Sequence, residues 1–197
     1  MKKFALASMV LVCLIGSAFA AEGTQPSEEE MMKRWMEVAS PKAEHEMLGK
    51  LAGDWNCSMK FWMGPGAPMQ EGKGACTHSV VNGGRAVSSL FTGEMMGMPY
   101  EGHGMDGFDN FNKVYWATWT DNMTTGMMYM EGTSADGGKT VVFNTTMDEP
   151  VMGVKDKPVR MVSKWVDENT HVLESWDEVG TPNEFKAMEI TYTRKAK

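Results

Sequence analysis

From residue 53 onward, apolar and polar side chains alternate with a period of two, in short runs separated by turn residues. Runs near 54–63, 72–81, 85–93, 100–108, 113–121, 125–133, 139–147, 157–166, 170–178 and 184–194 each predict a strand. Between them lie Gly64-Pro65-Gly66, Asn82-Gly83-Gly84, Met98-Pro99, Asp109-Asn110, Asp121-Asn122, Asp136-Gly137-Gly138, Asp167-Glu168-Asn169 and Gly180-Thr181-Pro182. These residues supply the backbone angles that tight turns need. About ten short strands with no helix between them predict a mainly β domain, an antiparallel up-and-down meander. Closing the meander into a barrel removes its two exposed edges. A two-sheet sandwich is the other arrangement.

Before residue 53 the period is helical. Ser27 with Glu30 forms a capping box, and Glu28 and Glu29 place negative charge where a helix N-terminus favours it. Met31, Met32, Trp35, Met36 and Val38 then fall near one face. Ser40-Pro41 predicts the end of that helix and the N-cap and first turn of a second, with Met47, Leu48 and Leu51 on its apolar side and its end at Gly53.

The first residues follow a different logic. Lys2 and Lys3 precede an apolar run over 4–15, too short to span a bilayer, and Ala18-Phe19-Ala20 has the small-x-small form of a secretory cleavage site. The division expected is a signal peptide over 1–20, a polar tether over 21–26, helices over 27–52 and a barrel over 53–197. Cys13 follows Val12, where a lipoprotein signal needs a small residue, so it leaves with the signal. The product is expected in the periplasm or secreted, with no membrane span. Loss of Lys2 and Lys3 moves the net charge from −7 to −9. An acidic chain without a basic cluster excludes nucleic acid and disfavours anionic membrane surfaces.

At the helix-to-strand junction, Gly53-Asp54-Trp55 resembles the Gly-x-Trp that opens the first strand in the lipocalin and fatty-acid-binding superfamily. The resemblance implies a calycin-like barrel whose floor is closed by Trp55, with Arg194 packed across the indole. Both roles are structural. A longer resemblance runs through His45-Glu46-x-Leu48, Gly53-x-Trp55, Phe61-Trp62-x-x-Pro65-Gly66-Ala67 and Gly83-Gly84-Arg85. It continues through Gly102-x-Gly104-x-x-Gly107-Phe108-Asp109-Asn110, Tyr115-x-x-x-Trp119-x-Asp121 and Glu189-Ile190-Thr191-Tyr192-Thr193-Arg194-Lys195. Together these resemble domain-of-unknown-function family 1579, exported bacterial proteins with a lipocalin-like barrel. The sequence departs from the family at Phe108, where Tyr is more usual. That family has no accepted activity, so the resemblance implies a fold and transfers no site.

Cys57 and Cys76 flank the turn over 64–68. A symmetric hairpin centred between Gly66 and Ala67 sets them opposite one another, and Trp55 opposite His78. Their Cα atoms are then about 4.5–5.5 Å apart, a separation a disulfide accepts. In an oxidising compartment this predicts a Cys57–Cys76 bridge. A free thiol pair, open to a soft metal or a redox partner, is the alternative.

Methionine is abundant. After residue 20 there are 19 Met against four Leu and one Ile. A barrel core needs long aliphatic side chains, so Met is expected to fill it. The competing reading is a soft-metal site for Cu(I), drawn from Met96, Met98, His103, Met128 and Met130, because thioethers favour that ion.

For a ligand, Trp62, Phe91, Tyr115, Trp116, Trp119 and Phe143 are candidate wall residues. Glu101 and His103 share one strand face and Asp106 takes the other, while His78 and His171 are candidates for the barrel interior. No Gly-x-Ser-x-Gly, His-Glu-x-x-His, Cys-x-x-Cys or phosphate-binding loop is present, so no catalytic residue and no cofactor is assigned. The leading expectation is a non-catalytic barrel that binds a small apolar or amphipathic ligand. The alternatives are a Met-rich periplasmic protein that binds Cu(I) or buffers oxidants, and an enzyme with an unrecognised barrel site near His103. The pattern leaves the oligomeric state open.

Overall fold

Each alternating run forms a strand, because alternation lets one face of a pleated ribbon bury while the other stays wet. In chain order these are β1 (Gly53–Phe61), β2 (Gln70–Val81), β3 (Ala86–Met95), β4 (Met98–Asp109), β5 (Val114–Asp121), β6 (Met128–Thr133), β7 (Thr140–Glu149), β8 (Val154–Asp167), β9 (Thr170–Asp177) and β10 (Phe185–Arg194). The computed structural model describes residues 25–95 and 97–196. The expected signal peptide, Cys13 and Met96 lie outside the described residues. Every strand pairs antiparallel with the next, and β10 returns to pair with β1, giving a closed barrel and not a sandwich. β1 shows the rule plainly: Trp55, Cys57 and Met59 are buried, while Asp54, Asn56 and Ser58 are exposed.

An up-and-down barrel sorts its turns onto two ends. The links after β2, β4, β6 and β8 lie at the end where the chain enters, here called the closed end. The links after β1, β3, β5, β7 and β9 lie at the other, the open end.

Two helices precede the barrel. Helix α1 (Glu28–Ala39) begins as the capping box predicts, with Ser27 Oγ accepting from the Glu30 N–H and the Glu30 carboxylate accepting from the Ser27 N–H. Its apolar face, Met31, Met32, Trp35, Met36 and Val38, is exposed. The helix end is tied to the barrel: Asn110 donates to the carbonyls of Val38 and Ser40, and Arg85 donates to that of Ala39. Helix α2 (Ala43–Gly49) starts later than Ser40-Pro41 predicts. Ser40 is instead the extended C-cap of α1, and the Lys42 N–H is capped by His45 Nδ1 at 3.1 Å. α2 also stops at Gly49, so Gly53 opens β1, not the end of a helix. The chain reverses at Gly53 with φ +124°, a conformation that favours glycine.

The closed end is locked by Trp55, which has no exposed surface. Its Nε1–H donates to the Leu51 carbonyl at 2.8 Å, and the Arg194 guanidinium lies 4.1 Å from the ring centroid. Arg194 then donates to the carbonyls of Ala52 and Lys50, at 2.8 and 2.7 Å. One cation thus satisfies the carbonyls left at the end of α2 while packing on the indole, a contact worth about 0.5–2 kcal/mol.

The β1–β2 register differs from the symmetric hairpin by two residues. Trp55 pairs with Cys76, Cys57 with Gly74, and Gly53 with His78. The cause is the turn itself. The Ala67 N–H reaches the Gly64 carbonyl at 3.1 Å, with Pro65 and then Gly66 (φ +72°) between them. That is a type II turn, which fixes its centre between Pro65 and Gly66 and not one residue later. Cys57 and Cys76 are therefore diagonal neighbours with free, buried thiols, and the expected bridge is absent.

Candidate functional site

The barrel interior is divided by depth. Toward the closed end, residues from adjacent strands make a chain of polar contacts. Cys76 Sγ lies 3.4 Å from His78 Nε2, and His78 Nδ1 lies 2.8 Å from Ser89 Oγ. Ser89 in turn hydrogen-bonds the Asp106 carboxyl. Across the barrel His171 Nε2 meets Ser163 Oγ at 2.8 Å, and the Tyr192 ring lies between the two imidazoles, 6.1 and 5.3 Å from them. The strand registers that pair His78 with Ser89 and Tyr192 with His171 set up these contacts.

Burial governs the electrostatics here. It pushes His78 down to about 4, helped by the nearby Arg194 charge, and His171 down to about 3, helped by His78. It pushes both thiols up to about 12. It raises Asp106 to about 7, against the hydrogen bond from Ser89. At neutral pH the imidazoles are neutral and the thiols protonated. Cys76 and His78, although in contact, are a protonated thiol and a neutral imidazole, and the thiolate is the nucleophilic form of cysteine. Asp106 is the member of this network that titrates near neutrality. A chamber beneath α2, against Tyr115, Ser163 and His171, measures about 20 Å³, too small for anything larger than water.

The open end is different. A groove of about 350 Å³ runs over Phe61, Gln70, Glu71, Gly72, Lys73, Glu94 and Gly97. It combines one aromatic floor residue with charges of both signs. Above the core, Met95 and Met98 pair directly across the β3–β4 turn. Both share the inward parity of Phe91 and Tyr100, and Met95 packs on the core cluster that holds Trp55, Phe91 and Tyr100. Deeper in, Trp119 Nε1–H donates to Tyr100 Oη at 3.0 Å, and Tyr100 donates to Asp121 at 3.2 Å.

The six aromatics read as ligand walls do not surround one cavity. Phe91, Tyr115 and Phe143 are buried in the core. Trp119 points inward and lies against Gly102 and Gly104, where a Cβ would strike its indole. Trp116 has the opposite parity and covers Gly107 from outside. Trp62 follows β1, its N–H bonded to the Ala187 carbonyl. The candidate Cu(I) set is likewise dispersed. His103 points outward and contacts Glu101, Met98 is at the open end, and Met128 and Met130 point inward on β6. Sequence reasoning placed Asp106 on the face opposite Glu101 and His103 without giving it a role, and passed over Ser89 and Ser163. The signal was present: Asp106 shares inward parity with Gly104 and Phe108.

Methionine fills the core in part. Met59, Met130 and Met161 are buried and Met95, Met128, Met147 and Met188 pack against the core clusters, but Met31, Met32, Met36, Met63, Met69, Met98, Met123, Met127 and Met152 are exposed. The core is filled chiefly by aromatic and β-branched residues, with glycine opposite the largest rings, as Gly74 lies under Phe91 and Gly132 under Phe143.

No curated protein matches the chain. Residues 40–194, from the end of α1 through β10, match the family model described as protein of unknown function DUF1579. With the whole barrel inside that span, the chain belongs to the DUF1579 family.

Proposed function

We propose that this is an exported, non-catalytic binding barrel that takes a small amphipathic molecule at its open end. The observation that carries the reading is the groove of about 350 Å³ over Phe61, within the range of small-molecule sites. Phe61 offers an apolar floor, and Gln70, Glu71, Lys73 and Glu94 give the groove a polar lining. The deep interior supports the same placement, since large rings fill it and the chamber under α2 admits only water. A surface-facing groove also suits a carrier that exchanges its ligand readily.

A fluorescent fatty acid such as cis-parinaric acid tests the reading. Saturable binding, displaced by unlabelled fatty acid and weakened at least tenfold by Phe61→Ala, is the expected result. Binding unaffected by Phe61→Ala and by Lys73→Glu would place the ligand elsewhere. Export is tested separately, by sequencing the N-terminus of protein recovered from the cell envelope. It should begin at Ala21, and a protein retaining Lys2 and Lys3 would refute cleavage.

A further inference from the structure

The exposed methionines of the barrel are not scattered. Met63 and Met69 flank the β1–β2 turn, Met98 closes the β3–β4 turn, Met123 and Met127 lie between β5 and β6, and Met152 lies between β7 and β8. All six belong to the open end, and they are 39% to 74% exposed. The closed-end links over 82–85, 110–113, 134–139 and 168–169 contain no methionine. That end also exposes large apolar side chains, but in the barrel they are Phe111, Val80 and Val166. Apolar exposure alone therefore does not account for sulfur at the open end.

We infer that the open end holds a thioether site for a soft monovalent cation, Cu(I) or Ag(I), seeded by Met95 and Met98. These two are register partners flanking a two-residue turn and share the inward face. Directly opposed residues have Cβ atoms about 4.5–5.5 Å apart, and each Met side chain has three rotatable bonds, so both sulfurs reach one ion. Soft d¹⁰ cations accept thioethers and low coordination numbers, which hard cations do not. Among the described residues no group of three or more His, Cys, Asp and Glu is arranged for a metal ion. Exposed thioethers from the neighbouring loops complete the coordination. The inference does not require an amphipathic ligand in the groove.

The test uses Ag(I), which is redox-inert, on the mature chain with ¹³C-methyl-labelled methionine. One equivalent is expected to shift the Met95 and Met98 methyl signals and leave those of Met31, Met32 and Met36 on α1 unchanged. Cys57→Ala/Cys76→Ala removes the competing buried thiols, and the methyl map locates the ion even where that variant is unstable. Met95→Leu/Met98→Leu keeps the apolar volume. It should cost at least tenfold in Ag(I) affinity while leaving cis-parinaric acid binding intact. Shifts spread equally over α1 and the open end, Ag(I) held only by the thiols, or undiminished affinity in the Leu variant would each overturn the site. None of these results would touch the amphipathic-ligand reading.

Discussion

The two ends of the barrel solve different problems with different side chains. At the closed end, Trp55, Arg194 and α2 interlock through the carbonyls of Lys50, Leu51 and Ala52, and the turns use Gly and Asn. At the open end, exposed methionines lie in the turns and a groove of about 350 Å³ opens over Phe61. The first arrangement is specific and rigid, because each donor has one partner. The second is adaptable, because thioether chains have many rotamers of similar energy. Stability is therefore expected to concentrate at one end and recognition at the other.

The sharpest way to break this comparison is Trp55→Ala. It removes a fully buried indole, takes the ring from beneath the Arg194 guanidinium and leaves the Leu51 carbonyl without its donor, so urea denaturation should show a loss of about 3–5 kcal/mol. A smaller loss would mean that the closed end is not the keystone.

Asp106 gives the next effect, and its sign depends on pH. Its carboxyl, raised from 3.8 to about 7, keeps a proton that the unfolded chain has already released. Its contribution to stability therefore falls as pH climbs between about 4 and 7, by about 1.4 kcal/mol for each pH unit. His78 and His171 act in the opposite sense. Both are lowered from 6.5, so the unfolded chain binds protons that the folded one refuses, and stability rises with pH up to about 6.5. Asp106→Asn should steepen that rise and make the variant more stable than the parent at pH 8 than at pH 5. Equal differences at both pH values would show that the carboxyl is not held protonated.

Gly102→Val tests the middle of the barrel. Its side chain would strike the Trp119 indole, and displacing that ring breaks the Trp119–Tyr100 hydrogen bond. A loss of about 1–3 kcal/mol is expected, with a change in tryptophan emission. The smallest effect belongs to the open end. Met123→Ala and Met127→Ala should change stability by less than about 0.5 kcal/mol, since both side chains are exposed. A larger cost would mean that the rim is structural.

What could be read from the sequence follows from how local each signal is. Strand existence, the capping box at Ser27 and the Trp55–Arg194 pair were legible, because alternation, capping and a family resemblance each leave a mark on neighbouring residues. Register was less so. Pro65-Gly66 does specify the turn centre, but centring the hairpin one residue late moves every pairing by two and sets opposite one another two cysteines that the structure leaves free. The site was hardest. Which aromatics fill space and which line it depends on what stands across the barrel, as Trp119 over Gly102 shows. The place of the methionines depends on which turns share an end, and that emerges only once all ten strands are ordered.

The pairing of β1 with β10 has a consequence for how the protein comes to exist. A chain delivered N-terminus first, from a ribosome or through a membrane pore, presents β1 with one flank bare until its last ten or so residues arrive. The cylinder cannot be sewn shut piecemeal, so the slowest step of folding should be the final stitch. Truncation just before Phe185, which removes β10, should leave a protein that collapses but does not seal.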